Sequence, residues 1–215
     1  MLTGPLRKPL SGTPKQLVVL LHGWGADGAN LIDLADVFAT ALPDAQFIAP
    51  DAPEPCEANP FGFQWFSLMD RNPAALAEGV DGAAATLSVF LEAQLAELKL
   101  KPAQLALVGF SQGTMLALHL ALRWPEQIAC VVGFSGALLA EDTLASHIRS
   151  RPPVCLIHGQ QDEVVPFAAM SKAKAALEAA GVLVETQARP GMGHSIDMQG
   201  IEIAKRALKH ALIAA

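Results

Sequence analysis

LVGFSQGTM, residues 107–115, carries an apolar run into a serine with Gly109 and Gly113 each two places away. By itself GxSxG is a weak signal in a chain with 17 glycines. Its setting carries more weight. The match directly follows the apolar stretch 104–109 and opens a helical pattern of Met115, Leu116, Leu118 and Leu122. A strand–turn–helix of this kind lifts a serine hydroxyl clear of a sheet edge on a strained bend. A β-carbon two residues to either side would be crowded there. The same bend leaves the Gln112 N–H unpaired at a helix N-terminus, aimed where an oxyanion forms.

Outward from this turn, short apolar runs alternate with longer helical patterns. The strands read as 16–21, 46–49, 104–109, 129–134, 153–158 and 183–188. Most are continuous rather than alternating, as expected of parallel strands covered on both faces. Leu31, Leu34, Ala35, Phe38 and Leu42 mark a first helix face. Asn72 and Pro73 open a second, with Leu76, Val80, Ala83, Leu87, Phe90, Leu91, Leu95 and Leu98 inward. A third runs from Gln112 to a stop at Pro125, and a fourth covers roughly 166–180 before Gly181. The last buries Ile201, Ala204, Leu208 and Leu212 behind Asp197. The pattern predicts one α/β domain over residues 1–215, a mostly parallel central sheet with helices on both faces.

In such a sheet, ligands bind at the carboxyl ends of the strands. A nucleophilic serine needs a base, and the base needs an orienting carboxylate. HGQQDEVVP, after strand 153–158, places Asp162 at that edge, and RPGMGHS, after strand 183–188, places His194 there. Glu163 and Asp197 are the alternatives to Asp162. His119 and His210 fall within helices, His147 in a polar stretch, and His158 reads as a packed turn residue. HGWGADG, after the first strand, supplies a second oxyanion donor in the Trp24 N–H. The same stretch matches the dinucleotide fingerprint GxGxxG, with Asp51 downstream for a ribose. That reading puts bulky Trp24 where a pyrophosphate must approach and leaves the other motifs unexplained. A non-catalytic ligand-binding protein on the same fold is the other alternative.

The totals narrow the partners. Of 215 residues 52% are apolar and 17% charged, which excludes a disordered chain. A net charge of −6 without a Lys/Arg cluster argues against nucleic acid or anionic membrane surfaces. The first 16 residues lack the apolar core of a signal peptide, and the run Leu17 to Leu21 is too short to cross a bilayer. Three cysteines without CxxC spacing fit a reducing compartment, and Cys130 and Cys155 read as buried small hydrophobes. The expectation is a cytoplasmic protein without integral membrane association.

Together, LHGWGADG, GFSQGT, HGQQDEVVP and GMGHS resemble the bacterial carboxylesterase/phospholipase family of α/β-hydrolases, which includes the acyl-protein thioesterases. The resemblance spans Leu20 to the final helix. It implies a serine hydrolase of carboxylic esters or thioesters acting on a small ester or acyl substrate, without metal or cofactor. It also implies Ser111 as nucleophile, Asp162 as acid, His194 as base, and the Trp24 and Gln112 amides as oxyanion hole. A homodimer is compatible with it. Two departures stand out. Thr114 occupies a position where many members carry another glycine, and Trp24 replaces a more usual aliphatic residue.

Between strands 129–134 and 153–158 there is room for about one helix, so no large cap domain is expected. The other long connection, 50–73, carries Phe61, Phe63, Trp65, Phe66, Leu68 and Met69. Exposed loops seldom hold so much apolar surface without packing it or using it on a ligand. The expectation is an acyl groove walled by Trp65 with Phe66 or Met69; the alternative is that these residues only pin the loop.

Overall fold

Parallel strands hidden on both faces order this chain, and a computed structural model describes residues 2–213. The strands are β1 (Leu6–Arg7), β2 (Gln16–Leu21), β3 (Ala45–Ile48), β4 (Glu54–Pro55), β5 (Phe63–Gln64), β6 (Leu105–Phe110), β7 (Cys130–Phe134), β8 (Val154–Gly159) and β9 (Val184–Arg189). The helices are α1 (Ala29–Ile32), α2 (Leu34–Phe38), α3 (Pro73–Leu98), α4 (Gln112–Arg123), α5 (Glu141–His147), α6 (Ala168–Ala179) and α7 (Met198–Ile213). Seven strands form the main sheet in the order β1-β3-β2-β6-β7-β8-β9. All pair in parallel except the antiparallel edge strand β1.

The pleat divides the core. Leu17, Val19, Leu21, Leu105, Leu107 and Val131 face α3, α4 and α6, while Val18, Leu20, Ala106, Val108, Val132 and Phe134 face α1, α2 and α7. From β2 the chain crosses one face to β3, and from β6 it crosses the other to β7. The sheet therefore switches direction between β2 and β6. A crevice opens at that point beyond the carboxyl ends of the two strands.

The helix signals work as read. Asn72 Oδ1 accepts the Ala74 N–H at 2.9 Å to start α3, and Gly181, at φ +80°, closes the turn after α6. Asp197 Oδ1 accepts the Gly200 N–H at 2.7 Å at the start of α7. The first helix is split in two at Asp33. α3 is long and apolar enough to cross a membrane, but here its face of Val80, Leu87, Phe90 and Leu91 is buried in the core. Only α5 lies between β7 and β8, so there is no large cap.

The connection 49–72 corrects one expectation. Trp65 and Phe66 are 2% and 3% exposed and belong to the core, so little of either side chain is left to wall an acyl groove. The Trp65 indole N–H donates to His22 O at 3.0 Å and its ring stacks against His22, with centroids 5.4 Å apart. These aromatics pin the loop. Met69 is 68% exposed.

Candidate active site

At the end of β6 the backbone turns sharply into α4, and Ser111 sits on the turn with φ +52°. A non-glycine residue tolerates that geometry only where its surroundings enforce it. The flanking glycines explain how. A β-carbon on Gly113 would overlap the Leu21 carbonyl of β2, and one on Gly109 would run into the Gly113–Thr114 peptide. Phe134 O accepts the Ser111 N–H at 2.9 Å and fixes the bend from the neighbouring strand.

Thr114, the departure from the usual glycine, has room for a physical reason. Its methyl fills the space beside Gly133 and Gly136, and its Oγ1 donates to Phe134 O at 2.9 Å.

Asp162 follows β8 in a loop that wraps its own carboxylate. Oδ1 accepts the Val164 and Val165 N–H groups, each at 2.9 Å. Oδ2 accepts His194 Nδ1–H at 2.8 Å. The loop 192–193 that delivers His194 passes directly over Gly159, where a β-carbon would strike the Met192 and Gly193 carbonyls. Burial raises the Asp162 pKa, but the bonds from His194, Val165 and Val164 outweigh it, and the carboxyl lies below its ordinary value. With Nδ1 committed to Asp162, Nε2 is the nitrogen of His194 left for a proton transfer. The ring centroid is 4.9 Å from that of Phe110, the residue just before Ser111. Of the alternative acids, Glu163 is exposed and Asp197 is engaged by Arg189 at 2.9 Å.

The loop after β2 meets this turn from the side. A β-carbon on Gly23 would lie 3.4 Å from Ser111 Cβ, which places the Trp24 peptide next to the serine. Among the described residues neither the Trp24 nor the Gln112 N–H donates to a protein acceptor. The dinucleotide reading of this loop fails on its own residues. Asp51 Oδ1 accepts the Gly28 N–H at 2.8 Å, and a β-carbon on Gly28 would overlap the Ala49 carbonyl. The chain itself fills the space a pyrophosphate would need.

Reasoning from sequence missed the polar groups around these residues. His158, read as a packed turn residue, is buried as expected but also lies 3.2 Å from Asp162 Oδ2. Its position directly after the apolar run 154–157 and four before Asp162 was the available signal. The side chain of Gln112 accepts the Trp65 N–H at 3.0 Å and donates to Phe66 O at 2.7 Å. Nothing in the sequence pairs positions so far apart.

This fold and this edge define a serine hydrolase of the α/β-hydrolase class, one that acts on carboxylic esters or thioesters. The model of the phospholipase/carboxylesterase family matches residues 9–212, and the chain belongs to that family. It is similar to the crystal structure of esterase PE8, with a TM-score of 0.94 and 41% identity over 98% of this chain and 99% of that one. Among sequence relatives, esterase YpfH of Escherichia coli is 28% identical over 92% of this chain and 84% of its own. Acyl-protein thioesterase 1 of Saccharomyces cerevisiae is 29% identical over 92% and 93%.

Proposed function

We propose that Ser111 is the nucleophile, His194 its general base and Asp162 the carboxylate that orients the base. The observation that carries this reading is the 2.8 Å His194 Nδ1–Asp162 Oδ2 pair, set beside a serine held at φ +52°. Ser111 Oγ attacks the substrate carbonyl carbon while His194 Nε2 takes its proton. The Asp162 carboxylate stabilises the imidazolium without accepting that proton itself. The carbonyl oxygen becomes an oxyanion that the Trp24 and Gln112 N–H groups receive. The imidazolium returns the proton to the departing alkoxide, or neutralises a departing thiolate, leaving Ser111 acylated. Water deprotonated by His194 then attacks the acyl carbonyl, the bond to Ser111 Oγ breaks as the imidazolium returns the proton to that oxygen, and the acid leaves.

Every group in this scheme comes from one chain, so a homodimer is not needed to complete the site. Met69, exposed on the loop beyond Trp65, is the residue of the expected groove most open to an acyl chain. The substrate is a small carboxylic ester or acyl thioester. Cys56, Cys130 and Cys155 are all free and buried, which supports the cytoplasm as the compartment.

The test is a fluorophosphonate probe with p-nitrophenyl butyrate and butyryl thioester turnover. Wild type should label at Ser111 and hydrolyse both substrates. Ser111→Ala should remain folded, lose the label and lose nearly all turnover. Labelling that survives Ser111→Ala would overturn the nucleophile assignment.

A further inference from the structure

The two residues whose amides are assigned to the oxyanion hole are gripped, through their side chains, by three consecutive residues of one distant segment. Trp24 Nε1–H donates to Gln64 Oε1 at 2.9 Å. Gln112 Oε1 accepts the N–H of Trp65 at 3.0 Å, and Gln112 Nε2 donates to Phe66 O at 2.7 Å. Residues 64, 65 and 66 thus join the loop after β2 to the first residue of α4. Further bonds clamp the same loop to the residues just before this segment and to Trp65 within it: Gly25 N–H to Phe63 O at 2.9 Å, Phe63 N–H to Ala26 O at 2.8 Å, Asn59 Nδ2 to Gly25 O at 2.7 Å, and Trp65 Nε1 to His22 O at 3.0 Å.

The tie is built with unusual care for a surface connection. Gln112 is fully buried, and its two partners, an N–H and a C=O, leave its amide only one orientation. Gln64 is 2% exposed and is itself oriented: its Oε1 also accepts the Glu57 N–H at 3.2 Å, and its Nε2 donates to Glu54 Oε2 at 3.2 Å. Buried amides bound at every arm fix position better than apolar contacts of the same volume, because an open arm leaves a polar group unsatisfied. An oxyanion hole works only if its donors already point at the developing charge before the reaction begins.

We infer that the segment 64–66 sets the spacing of the two oxyanion amides, with the side chains of Gln112, Gln64 and Trp24 as positioning residues. The inference rests on the assignment of those amides as the oxyanion hole. Neither side-chain amide nor the indole touches substrate; each acts through the peptide it anchors. Loosening the tie should weaken binding of the transition state and leave ground-state binding alone.

The experiment uses Gln112→Met, which keeps length and volume but makes neither hydrogen bond, and Trp24→Phe, which keeps an aromatic ring but removes the indole N–H together with the five-membered ring that carries it. Each is measured for kcat and KM on p-nitrophenyl butyrate. Each is also measured for inhibition by a butyl trifluoromethyl ketone, which forms a tetrahedral oxyanion on the serine, and by butyrate, which does not. Gln112→Met should lower kcat about 10- to 100-fold, short of the ~10²–10³-fold loss of a whole donor. KM and butyrate inhibition should change less than about twofold. The trifluoromethyl ketone should lose affinity by the same factor as kcat/KM. Trp24→Phe should show the same parallel loss, smaller in size, and decides the matter alone if Gln112→Met does not fold. Unchanged kcat, or ketone and butyrate affinities that fall together, would overturn the tie. A wild type that neither turns over ester nor labels at Ser111 would instead sink the functional reading beneath it.

Discussion

His158 Nε2 lies 3.2 Å from Asp162 Oδ2, the same oxygen that receives His194 Nδ1–H at 2.8 Å. His158 Nε2 also faces Val165 O at 2.9 Å, and a carbonyl can only accept, so that nitrogen carries the proton. Asp162 is therefore a carboxylate ringed by three donors, the His194 imidazole and the Val164 and Val165 amides, with the His158 N–H given to Val165 O alongside. The ring holds the carboxylate plane, and the plane aims His194.

An amide in place of that carboxylate should be costly. Asp162→Asn removes the charge that stabilises the imidazolium and allows the amide to point its own N–H groups at donors. Steady-state kcat should fall by roughly 10³–10⁴ with the fold retained. Glu163→Gln, one residue along and exposed, should change kcat less than about twofold. His158→Leu should lower kcat about tenfold and stability by ~1–3 kcal/mol, since Val165 O is left buried without its donor. Equal losses in Asp162→Asn and Glu163→Gln would show that the acid is misassigned.

The packing of Thr114 against two glycines yields a paired prediction. A β-carbon on Gly133 would collide with Thr114 Cγ2, while Thr114 Oγ1 would sit 3.4 Å away. Gly133→Ala alone should destabilise by ~1–3 kcal/mol, as overpacking does. Thr114→Ser removes the colliding methyl and keeps the hydroxyl bonded to Phe134 O. The double variant should recover most of the loss in urea denaturation, a coupling that distant sites do not show. Simple addition of the two single effects would mean the clash is relieved elsewhere.

Most of the architecture was legible because parallel strands buried on both faces must be apolar at every position. Leu17 to Leu21 and Leu105 to Val108 could hardly be read otherwise. The β1, β4 and β5 segments were not legible, because two residues each carry no period. Ser111, Asp162 and His194 could be gathered from sequence because topology alone brings successive strand ends to one edge. Side-chain direction in the 49–72 connection is a different matter. Composition showed that Trp65 and Phe66 needed cover but not whether protein or ligand supplied it. The answer lay in His22 O and Gln112, which accept and bracket those residues from more than 40 positions away.

Trp65 should accordingly behave as a core residue. Trp65→Ala opens a cavity beneath the loop and orphans His22 O, so stability should fall by ~3–5 kcal/mol. Chain-length preference among p-nitrophenyl esters, measured where the variant is still folded, should match wild type. A selective loss on butyrate or hexanoate over acetate would restore Trp65 to a substrate groove.

Acid should loosen the fold through two buried histidines rather than through Asp162. His22 is fully buried; its Nδ1–H donates to Gly23 O at 2.8 Å and its Nε2 accepts the Ala52 N–H at 3.0 Å, so the bonded ring is neutral. Burial lowers its pKa more than the Gly23 bond and the Asp51 and Asp27 charges raise it. His119, 2% exposed, is lowered by burial and by Arg123 against the opposing pull of Asp81 at 2.6 Å. A histidine whose folded pKa lies below its ordinary value near 6.5 binds fewer protons folded than unfolded in the interval between. Stability is then undiminished above about pH 6.5 and is lost as pH falls toward the folded value. Asp162, with its pKa lowered, keeps its contribution until pH drops below the ordinary carboxylate value of 3.8 and through its own. The thermal midpoint should therefore decline as pH falls below about 6.5, and the decline should shrink in His119→Gln, which cannot take up the proton. A midpoint that does not decline in wild type, or an undiminished slope in His119→Gln, would refute the assignment of the acid response to these rings.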